Sequence, residues 1–297
     1  MLGLEYFGWK ELWSPVQLAF IVAVAALYLA LTGPLRHRFA DSAPVGWGKK
    51  ATFLCGLAVY YLANGGPLDL LGHLMFSAHM ISMAFAYMVA PPLLLLGVPV
   101  WMIRPLWNNR VAGPVFRWLT RPLVTLFSFN GLFSFYHMPA IHDAVMVNYT
   151  IHTIYFLVML LAAFLMWWPI ISPLPEENRL SDLRKMALLF ADGVLLTPAC
   201  ALIIFADAPL YAVYNDPVTW AKALGYCVPA GSQLILENFQ GPQFFRLLTP
   251  LEDQQVGGVI MKLIQELTYG AALAYIFFRW YSRERDKENG MEPDPVS

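Results

Sequence analysis

Charge is what this sequence has least of. Only 13% of its 297 residues are Asp, Glu, Lys or Arg, 58% are hydrophobic, and mean hydropathy is +0.54. Soluble domains carry roughly twice that share of charge, so an ordinary water-soluble fold is excluded and a polytopic membrane protein is expected. Opposite signs nearly cancel, leaving a formal net charge of -1, and no global field points to nucleic acid or an acidic substrate. Cysteine is scarce too. Cys55, Cys200 and Cys227 stand singly, without CxxC or CxxxC spacing, which argues against a disulfide framework or a thiol-exchange site. No HExxH motif, internal repeat or low-complexity segment is present.

Long apolar runs are abundant instead. Seven reach or approach the ~20 residues a helix needs to cross hydrocarbon: 15–33, 51–66, 71–97, 122–137, 149–171, 186–206 and 256–278. The first lacks a basic leading segment and a small-x-small cleavage site, so it reads as a retained span and not a signal peptide. The third is too long for one straight span. It contains Ala90-Pro91-Pro92, whose missing N–H donors predict a kink or break. The stretch WMIRPLWNNRVAGPVFRWL that follows mixes Trp and Arg in the manner of an interfacial segment. The expected fold is all-α, a seven-helix transmembrane domain over 1–280 with a polar tail over 281–297.

Basic residues give this bundle a direction. Arg36, Arg38, Lys49 and Lys50 lie between runs one and two, and Arg104, Arg110, Arg117 and Arg121 between three and four. Arg179, Arg184 and Lys185 lie between five and six, and Arg279, Arg283, Arg285 and Lys287 in the tail. These are fifteen of the nineteen Lys and Arg residues. By the positive-inside rule, this alternation predicts an outer N-terminus and a cytoplasmic C-terminus.

Five of the six histidines then face the outer compartment. His37, between Arg36 and Arg38, is the exception, in a solvated basic loop. The stretch HLMFSAHMISM, residues 73–83, spends two histidines and three methionines within three helical turns. Drawn as one helix, His73, His79, Met80 and Met83 share an arc of about 120°, with Met75 at its margin. His137 and His142 occupy the outer loop between runs four and five, and His152, Tyr155 and Met159 follow at i, i+3 and i+7. Imidazole with thioether is the donor set Cu(I) prefers, and Met, unlike Cys, needs no deprotonation and is not lost to disulfides outside the cell. Zinc would more often show carboxylate or Cys ligands at tight spacing. Haem held by axial histidines stays open on spacing alone.

Asp192 and Glu266 are costly in lipid and are expected to face the bundle interior, as proton relays or as partners of backbone or hydroxyl groups. Lys262 in the last run suggests a Schiff base. It lies too near the outer end for one, however, and run three offers no carboxylate counter-ion.

The motifs HMISM with VAPPLLLLGVP, FYHMPAIHDAVMVNYTIH, MWWPIISP and PLEDQQVGGVIM, in this order from about residue 70 to 280, resemble those of the CtaG family of seven-helix bacterial cytochrome c oxidase assembly factors. The resemblance implies assembly of a haem-copper oxidase, with copper handling as the activity and no catalysis. It marks His79, His137 and His142 of an HxPxxxD-like motif (His137, Pro139, Asp143), His152, and the set Asp253, Gln254, Gly257, Gly258 and Met261. Many relatives carry His where Met83 stands, and a second His where Thr153 and Tyr155 stand, so the donor set here is softer.

The expected metal site is His73, His79, Met80, Met83, His137, His142, His152 and Met261, holding Cu(I). Expected partners are haem-copper oxidase subunits, chiefly the one with the buried copper, together with the lipid bilayer and an extracytoplasmic copper donor, with no nucleic acid. The expected location is the bacterial plasma membrane. Two other readings stand beside this one. A transporter would use a broken third span with Asp192 and Glu266 as its pathway, and a scaffold would hold oxidase subunits without binding metal.

Overall fold

The computed structural model describes residues 4–39, 41–171, 173–174, 180–225, 237–245 and 247–288, and every regular element among them is helical. Arg179, Cys227, Arg246 and the tail beyond 288 lie outside the described residues. Five stretches are helical, long and apolar enough to cross a membrane: Trp9–Thr32, Phe76–Gly97, Tyr149–Ile171, Asp182–Ile204 and Pro250–Glu288. The first joins α1 (Trp9–Trp13) to α2 (Pro15–Thr32). The other two expected runs are helices as well, α3 (Trp47–Asn64) and α9 (Pro122–Tyr136). With 15 residues, α9 is only about 22 Å long, against a hydrocarbon core of ~30 Å.

The third run breaks, but not at its prolines. Met75, extended at φ -136 and ψ 135, separates α4 (Pro67–Leu74) from α5 (Phe76–Ala84). The chain then passes through a π-helical turn, Phe85–Val89, into α6 (Ala90–Gly97). That widened turn absorbs the lost donors of Pro91 and Pro92, so the helix continues past them. The Trp/Arg segment forms two short helices, α7 (Val100–Trp107) and α8 (Ala112–Leu119).

What ends α4 and starts α5 comes from far along the chain. Met75 offers no side-chain cap. Asp253 supplies one from the last helix, accepting the Phe76 N–H at 2.7 Å and also bonded to the Ser77 hydroxyl. It thereby satisfies donors that every helix start leaves open. Beyond α10 (Pro139–Met146), α11 (Tyr149–Ile171), α12 (Asp182–Ile204) and α13 (Pro217–Leu224), that last helix is α14 (Pro250–Glu288).

Gln254 of α14 accepts the Leu210 N–H at 2.7 Å and donates to the Ile203 carbonyl at 3.2 Å, while Gln255 donates to Ala206. A Cβ on Gly257 would lie 3.0 Å from the Ser77 Cα, and one on Gly258 2.9 Å from the Ile203 side chain. The DQQVGG segment therefore clamps α14 between α5 and α12, with each glycine allowing one close approach.

Contacts sort the connections into two ends. Phe39 meets Trp101 at 5.0 Å, Trp107 stacks on Trp168 at 6.0 Å, and Arg283 bonds Asp182 at 3.1 Å. These gather the basic segments. At the other end Tyr211 donates to the His137 carbonyl at 2.9 Å and Tyr214 to the Gly72 carbonyl at 2.6 Å, gathering the histidine-bearing segments.

Candidate functional site

The break at Met75 overturns the single helical face drawn through residues 73–83. His73 ends α4 and His79 lies in α5. The two helices fold against each other closely enough that a Cβ on Gly72 would lie 3.2 Å from the His79 Cα. Both histidines are buried, but their rings face different neighbours. His73 pairs with His152 of α11, ring centroids 5.9 Å apart, and its Nδ1 is 3.0 Å from the Asp69 carbonyl. His79 meets His142 of α10, centroids 5.5 Å apart and planes at 90°.

Tyr136, the last residue of α9, is the hub of the inner group. Its hydroxyl is 2.8 Å from His79 Nε2, and its ring lies 5.1 Å from His142 and 5.3 Å from His137. Around His142 stand Tyr211 at 4.5 Å, Tyr214 at 5.8 Å and Phe76 at 6.1 Å. His142 is 0% exposed, and neither of its ring nitrogens has a hydrogen-bond partner among the described residues. Asp143 Oδ1 stands 3.5 Å from Nδ1, a contact that becomes an ion pair when the ring is protonated. His137 is equally buried; its Nδ1 donates to the Phe133 carbonyl at 2.6 Å, and its Nε2 has no partner. A buried polar atom without a partner costs about 1–3 kcal/mol, and such atoms in a native fold call for an explanation. Burial pushes the His142 imidazole below its ordinary pKa, with Asp143 pulling the other way. A neutral imidazole is the form that can ligate a metal.

The remaining motif residues support this chamber without lining it. Pro139 opens α10 in the first-turn position where its missing N–H is harmless. Asp143 accepts the Ala212 N–H at 3.0 Å and the Val213 N–H at 3.2 Å, holding the loop that carries Tyr211 and Tyr214. Tyr155 ties α11 to the Leu132 carbonyl at 2.7 Å, and Met159 is in the core. Met80 packs under Gly257 and so faces α14. Met83 and Met261 are buried in the same large core. Among the described residues, no three His, Cys, Asp or Glu side chains are grouped to hold one metal ion. The histidines come together as pairs, not as one closed ligand shell.

The two intramembrane carboxylates part company. Asp192 is fully buried, as expected, and accepts from Asn130 Nδ2 at 2.7 Å. Glu266 does not face the interior: its side chain is 59% exposed and pairs with Lys262 at 2.7 Å. Lys262 also reaches Thr197 at 3.1 Å, so it is a surface link between α12 and α14.

Sequence reasoning missed Tyr136, Tyr211 and Tyr214, although Tyr211 and Tyr214 stand three apart in the histidine-side connection. It also missed Asp69, four residues before His73 on the same short helix. Burial pushes the Asp69 carboxyl up to about 6, with His73 pulling it down.

No curated protein and no solved structure matches this chain. A family match does: residues 26–283 fit the cytochrome c oxidase caa3 assembly factor family (Caa3_CtaG), and the chain belongs to it.

Proposed function

We propose that this protein helps assemble a haem-copper oxidase by binding Cu(I) in the histidine chamber and handing it to an oxidase subunit, carrying out no reaction of its own. The observation that carries the reading is His142, wholly buried, with neither ring nitrogen hydrogen-bonded among the described residues, beside His79 and with His137 Nε2 likewise without a hydrogen bond among them. Imidazoles of this kind suit a soft ion that tolerates few ligands. The buried methionines nearby are polarizable packing against which a third donor could swing.

The reading includes seven crossings of a bacterial plasma membrane, with the N-terminus outside and the tail inside. Its support is the sorting of basic segments to one end of the bundle and histidines to the other. In that orientation the chamber opens toward the outside, where an extracytoplasmic donor would deliver copper. It lies below the surface, near the start of α5. A donor passing metal sideways should match its acceptor in depth, because a bare cation does not cross lipid. The oxidase copper buried beside a haem is therefore the one served.

Asp192 favours a second reading, transport through the bundle, because one of its carboxylate oxygens has no partner. Two measurements separate the readings. Purified protein loaded under reducing conditions should bind Cu(I) in preference to Zn(II), and His79→Ala with His142→Ala should lower the affinity of the chamber at least 100-fold. Cells lacking the protein should make an oxidase with haem but without the buried copper, at unchanged total copper. A fall in cell copper would favour transport, and a parent protein that binds no copper would leave a scaffold.

A further inference from the structure

Between α1, α3, α4 and α11 lies a cleft of about 670 Å³, lined by Lys10, Glu11, Asn64, Asp69, His73 and His152 among others. Its back wall includes Phe156. The Phe156 ring is 4.1 Å from His152 on the cleft side, and 6.3 Å from His79 and 5.4 Å from Tyr136 on the chamber side. One aromatic ring thus stands between two imidazole pairs: His73 with His152, and His79 with His142. Two imidazoles that share one ion through nitrogens at about 2 Å place their ring centres roughly 5–6 Å apart when the angle at the ion is bent, as it is once a third donor joins, and slightly farther when it is linear. The observed separations of 5.9 and 5.5 Å fall in that range.

The geometry points to two Cu(I) stations in series, an outer one at His73 and His152 in the cleft and an inner one at His79 and His142 in the chamber, with Phe156 as the partition between them. Asp69, four residues before His73 and beside it in the cleft, supplies the negative charge that draws a cation in and is a positioning residue for the outer pair. The cleft is far larger than an ion needs, so copper can arrive still held by a carrier and exchange its ligands stepwise. Each step breaks one bond from copper to its previous ligand as a copper–nitrogen bond to the next histidine forms, and no electron moves. Lys10 and Glu11, which also line the cleft, are of opposite sign and leave Asp69 as its net charge. The inference rests on the copper reading above and adds the route by which the chamber is filled.

The test uses full-length purified protein titrated with Cu(I) against a coloured Cu(I) chelator. Two ions per chain are expected in the parent. One should remain in His73→Gln with His152→Gln, and one in His142→Gln. Loss of the outer pair or of Asp69 (Asp69→Asn) should slow filling of the inner station at least tenfold. Phe156→Ala should speed transfer between stations without changing stoichiometry. Thermal unfolding of each variant shows whether its fold is intact, and a variant melting well below the parent is replaced by the single-histidine change. One ion in the parent, retained in the His73/His152 variant and filled at the parent rate, would overturn the outer station while leaving the copper reading intact. No ion at all in the parent would remove both.

Discussion

The histidine chamber and the middle of the bundle both bury polar atoms without a hydrogen bond among the described residues, yet the atoms differ in kind. In the chamber they are imidazole nitrogens, His137 Nε2 and both of His142, enclosed by aromatic rings. In the middle they are Asp192 Oδ2, Asn130 Oδ1, Gln265 Nε2 and the Tyr269 hydroxyl. Gln265 and Tyr269 meet α12 at Gly193, next to Asp192. Carboxyl, amide and hydroxyl groups are satisfied by internal water or a proton, whereas neutral imidazoles among apolar rings suit a soft metal. The copper proposal therefore rests on the chemistry of the orphaned atoms and not on unsatisfied burial alone.

That contrast is easiest to break by disturbing the clamp that holds the chamber together. Gly257→Leu would push a side chain into the Ser77 backbone and Met80. It should destabilise the protein by about 3 kcal/mol, at the upper end of overpacking costs, and abolish Cu(I) binding, as read by thermal unfolding and titration. Asp253→Ala removes the cap on α5 and should cost about 2 kcal/mol. Because that cap sets the angle between α4 and α5, copper affinity should fall about tenfold, although Asp253 touches neither histidine pair. Normal copper binding in this variant would mean that the pairs do not depend on the break at Met75. Asp192→Asn should change stability by less than about 1 kcal/mol, since the shape is kept and a buried carboxylate is costly. It should leave Cu(I) stoichiometry and affinity unchanged. A loss of copper binding there would merge the two regions into one pathway and favour transport.

Much of the architecture could be read directly. Each apolar run found by hydropathy falls on helix, because a chain in lipid must satisfy its backbone within each segment; the short helices α8, α10 and α13 lie outside those runs. The Lys and Arg count placed the histidines together at one end, because charge distribution is a property of the connections alone. Other features resisted. The turn at Pro91 was legible as a disturbance but not as a π-helical turn, since either a kink or a widened turn accommodates a missing donor. Glu266 reads as interior by cost alone, yet Lys262 one turn away neutralises it at the surface. Which way Met80 points depends on Gly257, across the bundle.

By itself the sequence determined the helical class, the family, the end of the bundle at which five histidines collect and the residue types found there. Only the tertiary structure decided that His73 and His79 belong to different helices and different pairs. It also decided that three tyrosines surround His142. The reason is one contact: the cap that starts α5 comes from Asp253, 177 residues away. No local pattern can report a helix boundary whose stabilising partner lies on another helix.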